Sequence, residues 1–140
     1  MHTLPIRVYY EDTDLAGVVY YANYLRFIER GRSEALRALG IDQLAMKADG
    51  FVFVVRRANI DYLSPARFDD LLEIRTTTSW VKRASAMMWQ EVWRGDVRLL
   101  TAEITVACMS ERGRPAAFPT EVRAKLVEGT ENTKSARGAE

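Results

Sequence analysis

Histidine is nearly missing from this chain. Its 140 residues hold one, His2, in the N-terminal segment. A Ser-His-Asp or Cys-His nucleophile needs a histidine held within the fold, and most catalytic zinc sites need one too. The scarcity therefore argues against a base-activated serine hydrolase and against a metal site. Any hydrolytic chemistry must rest on carboxylates, hydroxyls and backbone amides. Cysteine is equally scarce. Cys108 alone cannot make an intrachain disulfide and fits a reducing compartment. No apolar run approaches the roughly 18 residues of a membrane helix. Met1-His2-Thr3-Leu4-Pro5 has no basic stretch leading into an apolar one, so no secretory signal is expected. A net charge of +1 gives no argument for nucleic acid or an anionic membrane. These absences predict a cytoplasmic protein without a transmembrane segment or nucleic-acid partner.

What is present is the makeup of a soluble domain: 48% hydrophobic and 28% charged residues. Residues 1–128 are expected to form one domain large enough to bury a core. Residues 129–140 carry almost no apolar side chain and read as a disordered tail. Ile6, Val8 and Tyr10 alternate with Arg7 and Tyr9 as a first strand. From Asn23 the period becomes helical, with Tyr24, Phe27, Ile28, Gly31, Ala35, Ala38 and Leu39 on one face and Gly40 as the stop. Gly31 in mid-helix suggests close packing on a sheet. A short helix is expected between Asp42 and Gly50. Strands follow at Phe51–Tyr62, from Leu72 to Trp80, from Ser85 to Arg94, and through Leu100 to Cys108. Gly95-Asp96 is a tight hairpin signal. One helix followed by antiparallel strands predicts an α+β layer, with the sheet curled around the helix.

Between the first strand and the long helix lies Tyr9-Tyr10-Glu11-Asp12-Thr13-Asp14-Leu15-Ala16-Gly17-Val18-Val19-Tyr20-Tyr21-Ala22-Asn23-Tyr24. Asp14 stands ahead of the helix start, where the first N–H groups have no intrahelical partner. A carboxylate beside free N–H donors can attack a carbonyl and hold the oxyanion. On spacing alone, a turn aspartate that caps the helix is the simpler reading. Asp12-x-Asp14-x-x-Gly17 has the start of a calcium loop, but Ala16 and Asn23 occupy positions that should be ligands, so calcium is rejected.

This segment, continued by Leu25-Arg26-Phe27-Ile28-Glu29-Arg30-Gly31-Arg32-Ser33-Glu34, resembles the signature of hotdog-fold acyl-CoA thioesterases. It is most similar to the 4-hydroxybenzoyl-CoA thioesterase group, and within it to the Tol-Pal-associated acyl-CoA thioesterases. The likeness runs from about Ile6 to about Val122. A second, weaker signature covers Val54-Val55-Arg56 and Tyr62-Leu63-Ser64-Pro65-Ala66-Arg67-Phe68-Asp69-Asp70.

The resemblance implies a hotdog fold of about five antiparallel strands wrapped around one long helix. It implies sheets paired edge to edge as dimers, doubled into a homotetramer. Phe51–Tyr62, rich in valine, is the candidate edge. Asp14 then becomes the catalytic carboxylate, with the nucleophile and general-base routes both open. The main-chain N–H of Tyr21 would polarise the thioester carbonyl. Many Tol-Pal-type relatives carry histidine there. A phenol, with a reference pKa of about 10, is a poor base at neutral pH. Tyr10 would orient the carboxylate or substrate, or be a buried strand aromatic. Gly17 would let the backbone approach the ligand, or be an ordinary turn glycine.

Lys82, Arg83 and Ser85 are the candidates for the phosphates of coenzyme A, against the reading of a solvated basic turn. Arg56 and Arg57 are weaker candidates. Glu11 and Asp12 read as solvated or structural, and Trp80, Trp89, Trp93 and Cys108 as core or interface. No cofactor is implied, since coenzyme A arrives as part of the acyl-CoA substrate. An acyl carrier protein is the other donor class. The alternative function is a non-catalytic acyl-CoA or acyl-carrier-protein binding module. Hydroxyacyl dehydratases of the same fold use a histidine that this chain lacks.

Overall fold

Alternating apolar residues build five strands, and a long amphipathic helix lies across them. The computed structural model describes residues 1–130. The strands are β1 (His2–Arg7), β2 (Phe51–Tyr62), β3 (Leu71–Val81), β4 (Ser85–Arg94) and β5 (Val97–Ser110). The helices are α1 (Asn23–Ala38), α2 (Gln43–Ala48) and α3 (Thr120–Glu128). The strands form one antiparallel sheet in the order β1-β3-β4-β5-β2. The expected edge strand β2 is indeed an edge, and its side chains are largely exposed.

Helix α1 buries Tyr24, Phe27, Ile28, Gly31, Ala35 and Leu36. They meet Ile74, Met88, Val92, Leu100 and Ile104 in one core. Each large side chain removed from water there contributes about 1.5–3 kcal/mol. Leu36 takes the place expected of Ala38, which is exposed. One polar residue enters this layer fully buried. Gln90 Nε2 donates to the Ile28 carbonyl at 2.8 Å and to Thr76 Oγ1 at 2.9 Å, while its Oε1 accepts from Arg32 Nη1 at 3.0 Å. Both of its polar atoms have partners, so it ties α1 to the sheet without an orphaned group.

Gly31 is the point of closest approach. A Cβ built there would overlap the Ile74 side chain and lie 3.3 Å from Gln90 Nε2. Gly31→Ala gains about 1 kcal/mol of helix propensity. Overpacking of about 1–3 kcal/mol outweighs it. The expected result is a fall of several degrees in Tm. A Tm equal to or above wild type would show that Ile74 moves aside freely.

Two expectations change. β1 ends at Arg7 instead of running on to Tyr10. Beyond it the Val8 N–H donates to Asp70 O, Val8 O accepts the Asp69 N–H, and the chain enters a 3-10 turn at Tyr10–Asp12. Asp12 Oδ2 accepts the Tyr9 N–H at 2.8 Å and closes that turn. Tyr10 is therefore 82% exposed and is no buried strand aromatic. Second, α3 was not expected. It starts after Pro119 and is anchored by fully buried Leu126, while Lys125 Nζ donates to the Gly40 carbonyl at 2.8 Å. Its weak amphipathic pattern hid it. Of the expected tail, residues 129 and 130 are described. Gly129 sits against Leu39, and Thr130 bridges to Thr78. The rest of the expected tail, 131–140, lies outside the described residues. Among those described, no helix is long and apolar enough to cross a membrane.

Candidate active site

The segment before α1 folds back on itself as a narrow hairpin. Thr13 bridges Val19, the Asp14 N–H donates to Val18 O at 2.9 Å, and the Gly17 N–H donates to Asp14 O at 3.0 Å. Asp14 Oδ1 accepts the Ala16 N–H at 2.9 Å, a local turn bond. Gly17 takes φ +79°, which explains glycine, and a Cβ there would meet nothing within 4 Å. Asp14 does not sit at the start of α1. The residue preceding that helix is Ala22, with no side-chain cap, so the expected help from the helix N-terminus is replaced by the turn's own N–H. Asp14 is exposed on this single chain.

The returning strand of the hairpin leads into Tyr20 and Tyr21. The Tyr20 N–H donates to Asp12 O at 3.0 Å, and Tyr20 O accepts the Asn23 N–H at 2.8 Å. Asn23 Nδ2 adds a bond to Asp12 O at 2.9 Å. Among the described residues the Tyr21 N–H has no acceptor. Asp12 thus shapes the hairpin through its side chain and its carbonyl, while among the described residues Asp14 Oδ2 and the Tyr21 N–H have no hydrogen-bond partner.

Tyr21 borders an open cleft of about 260 Å³ with Val19, Tyr24, Tyr62, Leu63, Ser64 and Pro65. Tyr21 is 62% exposed, its ring edge-on to Tyr62 at 6.4 Å and tilted against Tyr20 at 4.9 Å. The Tyr21 side chain, by hydrogen bond and charge, pushes the Tyr20 phenol above its ordinary pKa. Burial raises that of Tyr24, against the opposing effect of the Ala66 N–H. Burial and then Tyr21 raise that of Tyr62. Phenols shifted this way stay protonated at neutral pH and cannot serve as the base.

Tyr10 sets its ring edge-on to Phe68 at 6.2 Å. Lys82, Arg83 and Ser85 make the β3–β4 turn, closed by the Lys82 N–H on Ser85 O at 2.7 Å. Lys82 and Arg83 are exposed, and Lys82 Nζ lies 4.8 Å from the Trp80 ring centre. That turn stands at the far end of β3 from Asp70 and the hairpin, about 35 Å away at the usual rise per strand residue. One chain therefore does not bring the phosphate candidates to Asp14. Cys108 and Trp89 are buried in the sheet, and burial raises the Cys108 thiol's pKa. Among the described residues no His, Cys, Asp and Glu cluster could hold a metal.

Sequence reasoning missed the clamp behind the hairpin. Ala66 O accepts the Val19 N–H at 2.8 Å, Val18 bridges Arg67, and Tyr24 Oη accepts the Ala66 N–H at 2.8 Å. Asp70 Oδ2 accepts from the Arg67 N–H at 2.8 Å and from Arg94 Nη1 at 2.9 Å. The second signature, Tyr62 to Asp70, was the available signal, but nothing in one strand shows which loop it will hold.

The same fold recurs in solved structures. A model of the Thioesterase superfamily matches residues 16–101. The chain belongs to the thioesterase superfamily. The match begins two residues after Asp14, so it carries the family and not the role of that carboxylate. The chain is 44% identical over 124 residues to the acyl-CoA thioesterase YbgC of Haemophilus influenzae, covering 87% of this chain and 91% of that one. It is 42% identical over 124 residues to the acyl-CoA thioester hydrolase YbgC of an Escherichia coli O6:H1 strain, covering 87% and 92%. The solved structure of a probable thioesterase from Bartonella henselae superposes with a TM-score of 0.80 at 41% identity, over 84% of this chain and 98% of that one. The fold of this superfamily member is the hotdog fold.

Proposed function

We propose that this protein is an acyl-CoA thioesterase that hydrolyses the thioester to a free acid and coenzyme A. The observation that carries the reading is the hairpin that exposes the Asp14 carboxylate and leaves the Tyr21 N–H unpartnered. Similarity to acyl-CoA thioesterases over most of the chain supports it. The thioester oxygen takes the Tyr21 N–H as its donor, which stabilises the charge that develops on it. In the nucleophilic route an Asp14 oxygen bonds to the carbonyl carbon, the C–S bond breaks, and water then hydrolyses the mixed anhydride. In the general-base route Asp14 takes a proton from the attacking water, the C–S bond breaks, and the departing thiolate takes that proton from Asp14 to leave as the free thiol. Neither route needs a metal or redox cofactor.

The assembly belongs to the same proposal. Two β2 edges pair, and the dimer doubles to a tetramer in the cytoplasm, in association with the Tol-Pal envelope system. Lys82, Arg83 and Ser85 then serve the partner's hairpin by holding the phosphates of coenzyme A or of an acyl carrier protein's prosthetic group. Tyr10 and Gly17 border the same end as Asp14 and shape the substrate's approach.

A thiol-release assay across a panel of acyl-CoAs tests the activity. Release from at least one member is expected. Binding without release from any member would leave the non-catalytic module. The same assay tests the division of roles at position 21. Tyr21→Phe keeps the N–H and should cost less than about 10-fold in turnover, since loss of an acid–base group costs 10²–10⁴-fold. A loss as large as that of Asp14→Asn would make the phenol itself a principal catalytic group.

A further inference from the structure

We propose that Tyr24 is a positioning residue for the Tyr21 N–H, acting through Ala66 and Val19. Its kinetic consequence rests on the thioesterase reading; its structural consequence does not.

Tyr24 lies in the first turn of α1 and is 3% exposed. Its ring is held edge-on by Phe27 at 6.1 Å and by Tyr62 at 5.6 Å. Its Oη accepts the N–H of Ala66, a residue with no exposed surface, at 2.8 Å. The carbonyl of the same Ala66 accepts the Val19 N–H at 2.8 Å. Two residues beyond Val19 is Tyr21, whose carbonyl accepts the backbone N–H of Tyr24 at 3.3 Å. The path therefore closes on itself: Tyr21 to Tyr24 along the first helical turn, Tyr24 to Ala66 by the phenol, Ala66 to Val19 by the peptide, and Val19 back to Tyr21 along the chain.

An oxyanion donor is effective only when it is held in place before the charge develops. The rest of the 65–70 segment is held by Arg94 on Pro65 O at 3.3 Å and on Asp70 at 2.9 Å, by Val8 on Asp69 and Asp70, and by the Val18–Arg67 bridge. Among the described residues, Tyr24 is the one member of α1 that hydrogen-bonds to this segment. Burial raises the phenol's pKa, so the oxygen that accepts the Ala66 N–H is that of a neutral hydroxyl. The hydroxyl is dispensable for filling space, because the ring contacts do not involve it. A tyrosine is thus needed where phenylalanine would pack as well.

Tyr24→Phe in the full chain isolates the hydroxyl. With the best acyl-CoA of the panel, kcat should fall about 10- to 50-fold with KM within about 3-fold, part of the 10²–10³-fold cost of losing an oxyanion donor outright. Amide hydrogen exchange should show Val19 losing about tenfold or more of its protection, while Val92 and Ile104 in the core keep theirs. Three results would overturn the proposal: kcat within about 3-fold of wild type, a fall in kcat with Val19 protection unchanged, or equal loss of protection at all core amides. The second would mean that the hydroxyl meets the substrate itself. If the wild-type protein releases thiol from no acyl-CoA, the thioesterase reading fails, and Val19 exchange alone still decides the Tyr24 link.

Discussion

Asp14→Asn should lower turnover of the best acyl-CoA by at least about 100-fold while leaving fold and assembly intact. The structure makes this a clean substitution. Asp14 is exposed, makes no ion pair among the described residues, and uses its side chain only to accept the Ala16 N–H at 2.9 Å. Asparagine offers an oxygen in the same place, so the hairpin and the φ of Gly17 are preserved. What it cannot do is attack the thioester carbon as an anion or take a proton from water. Tm and light scattering should match wild type. Near-wild-type turnover would remove Asp14 from the mechanism. The Tyr21 N–H would then be left to act alone, and by itself it can only polarise the carbonyl.

The second large effect concerns where the site is completed. β2 is an edge strand that runs from Phe51, paired with Ser110, to Tyr62, paired with Leu100. Ser85 pairs with Ala107, near the Phe51 end, and Val92 pairs with Leu100, near the Tyr62 end. Two copies joined antiparallel through β2 would set the Tyr62 end of one, with its hairpin, beside the Phe51 end of the other, with its Lys82-Arg83 turn. The separation of about 35 Å within one chain then becomes proximity between chains. Lys82→Glu with Arg83→Glu should raise KM for an acyl-CoA at least about 100-fold. Each charge-assisted bond to phosphate is worth about 1.5–3 kcal/mol, and reversal adds repulsion. Coexpression of this double variant with Asp14→Asn should restore one complete site per mixed dimer, and so activity well above either parent. No recovery in mixed dimers, or a monodisperse monomer by light scattering, would refute a site shared between copies.

Strand alternation, the α1 period and the Gly40 stop were readable because each is local. A strand or helix shows its buried face within a few residues. Gly31 could be read the same way, since a glycine in the middle of a buried face has few other reasons to be there. The motif from Tyr9 to Tyr24 was legible by resemblance, and it drew attention to Asp14, Tyr21 and Gly17. α3 was missed because its hold on the domain is a single buried leucine and a lysine reaching the Gly40 carbonyl, with little apolar periodicity to betray it.

By itself the sequence bounded the chemistry that is possible here: one histidine at position 2, one cysteine, and a run of acids and tyrosines before the long helix leave carboxylates, hydroxyls and backbone amides for hydrolysis. Tertiary structure alone decided where those groups stand. Asp14 was expected at a helix start and instead occupies a hairpin turn, because its backbone pairs with Val18 before the chain reaches Ala22. Tyr10 left the strand because Val8 found its partners in the Asp69-Asp70 turn. Whether Lys82 and Arg83 could serve Asp14 depended on β3, whose length separates their turn from the hairpin end of the sheet. The Tyr24–Ala66–Val19 path joins residues up to 47 positions apart, between Val19 and Ala66. Such contacts are set by strand order and helix packing, and no local pattern of residues encodes them.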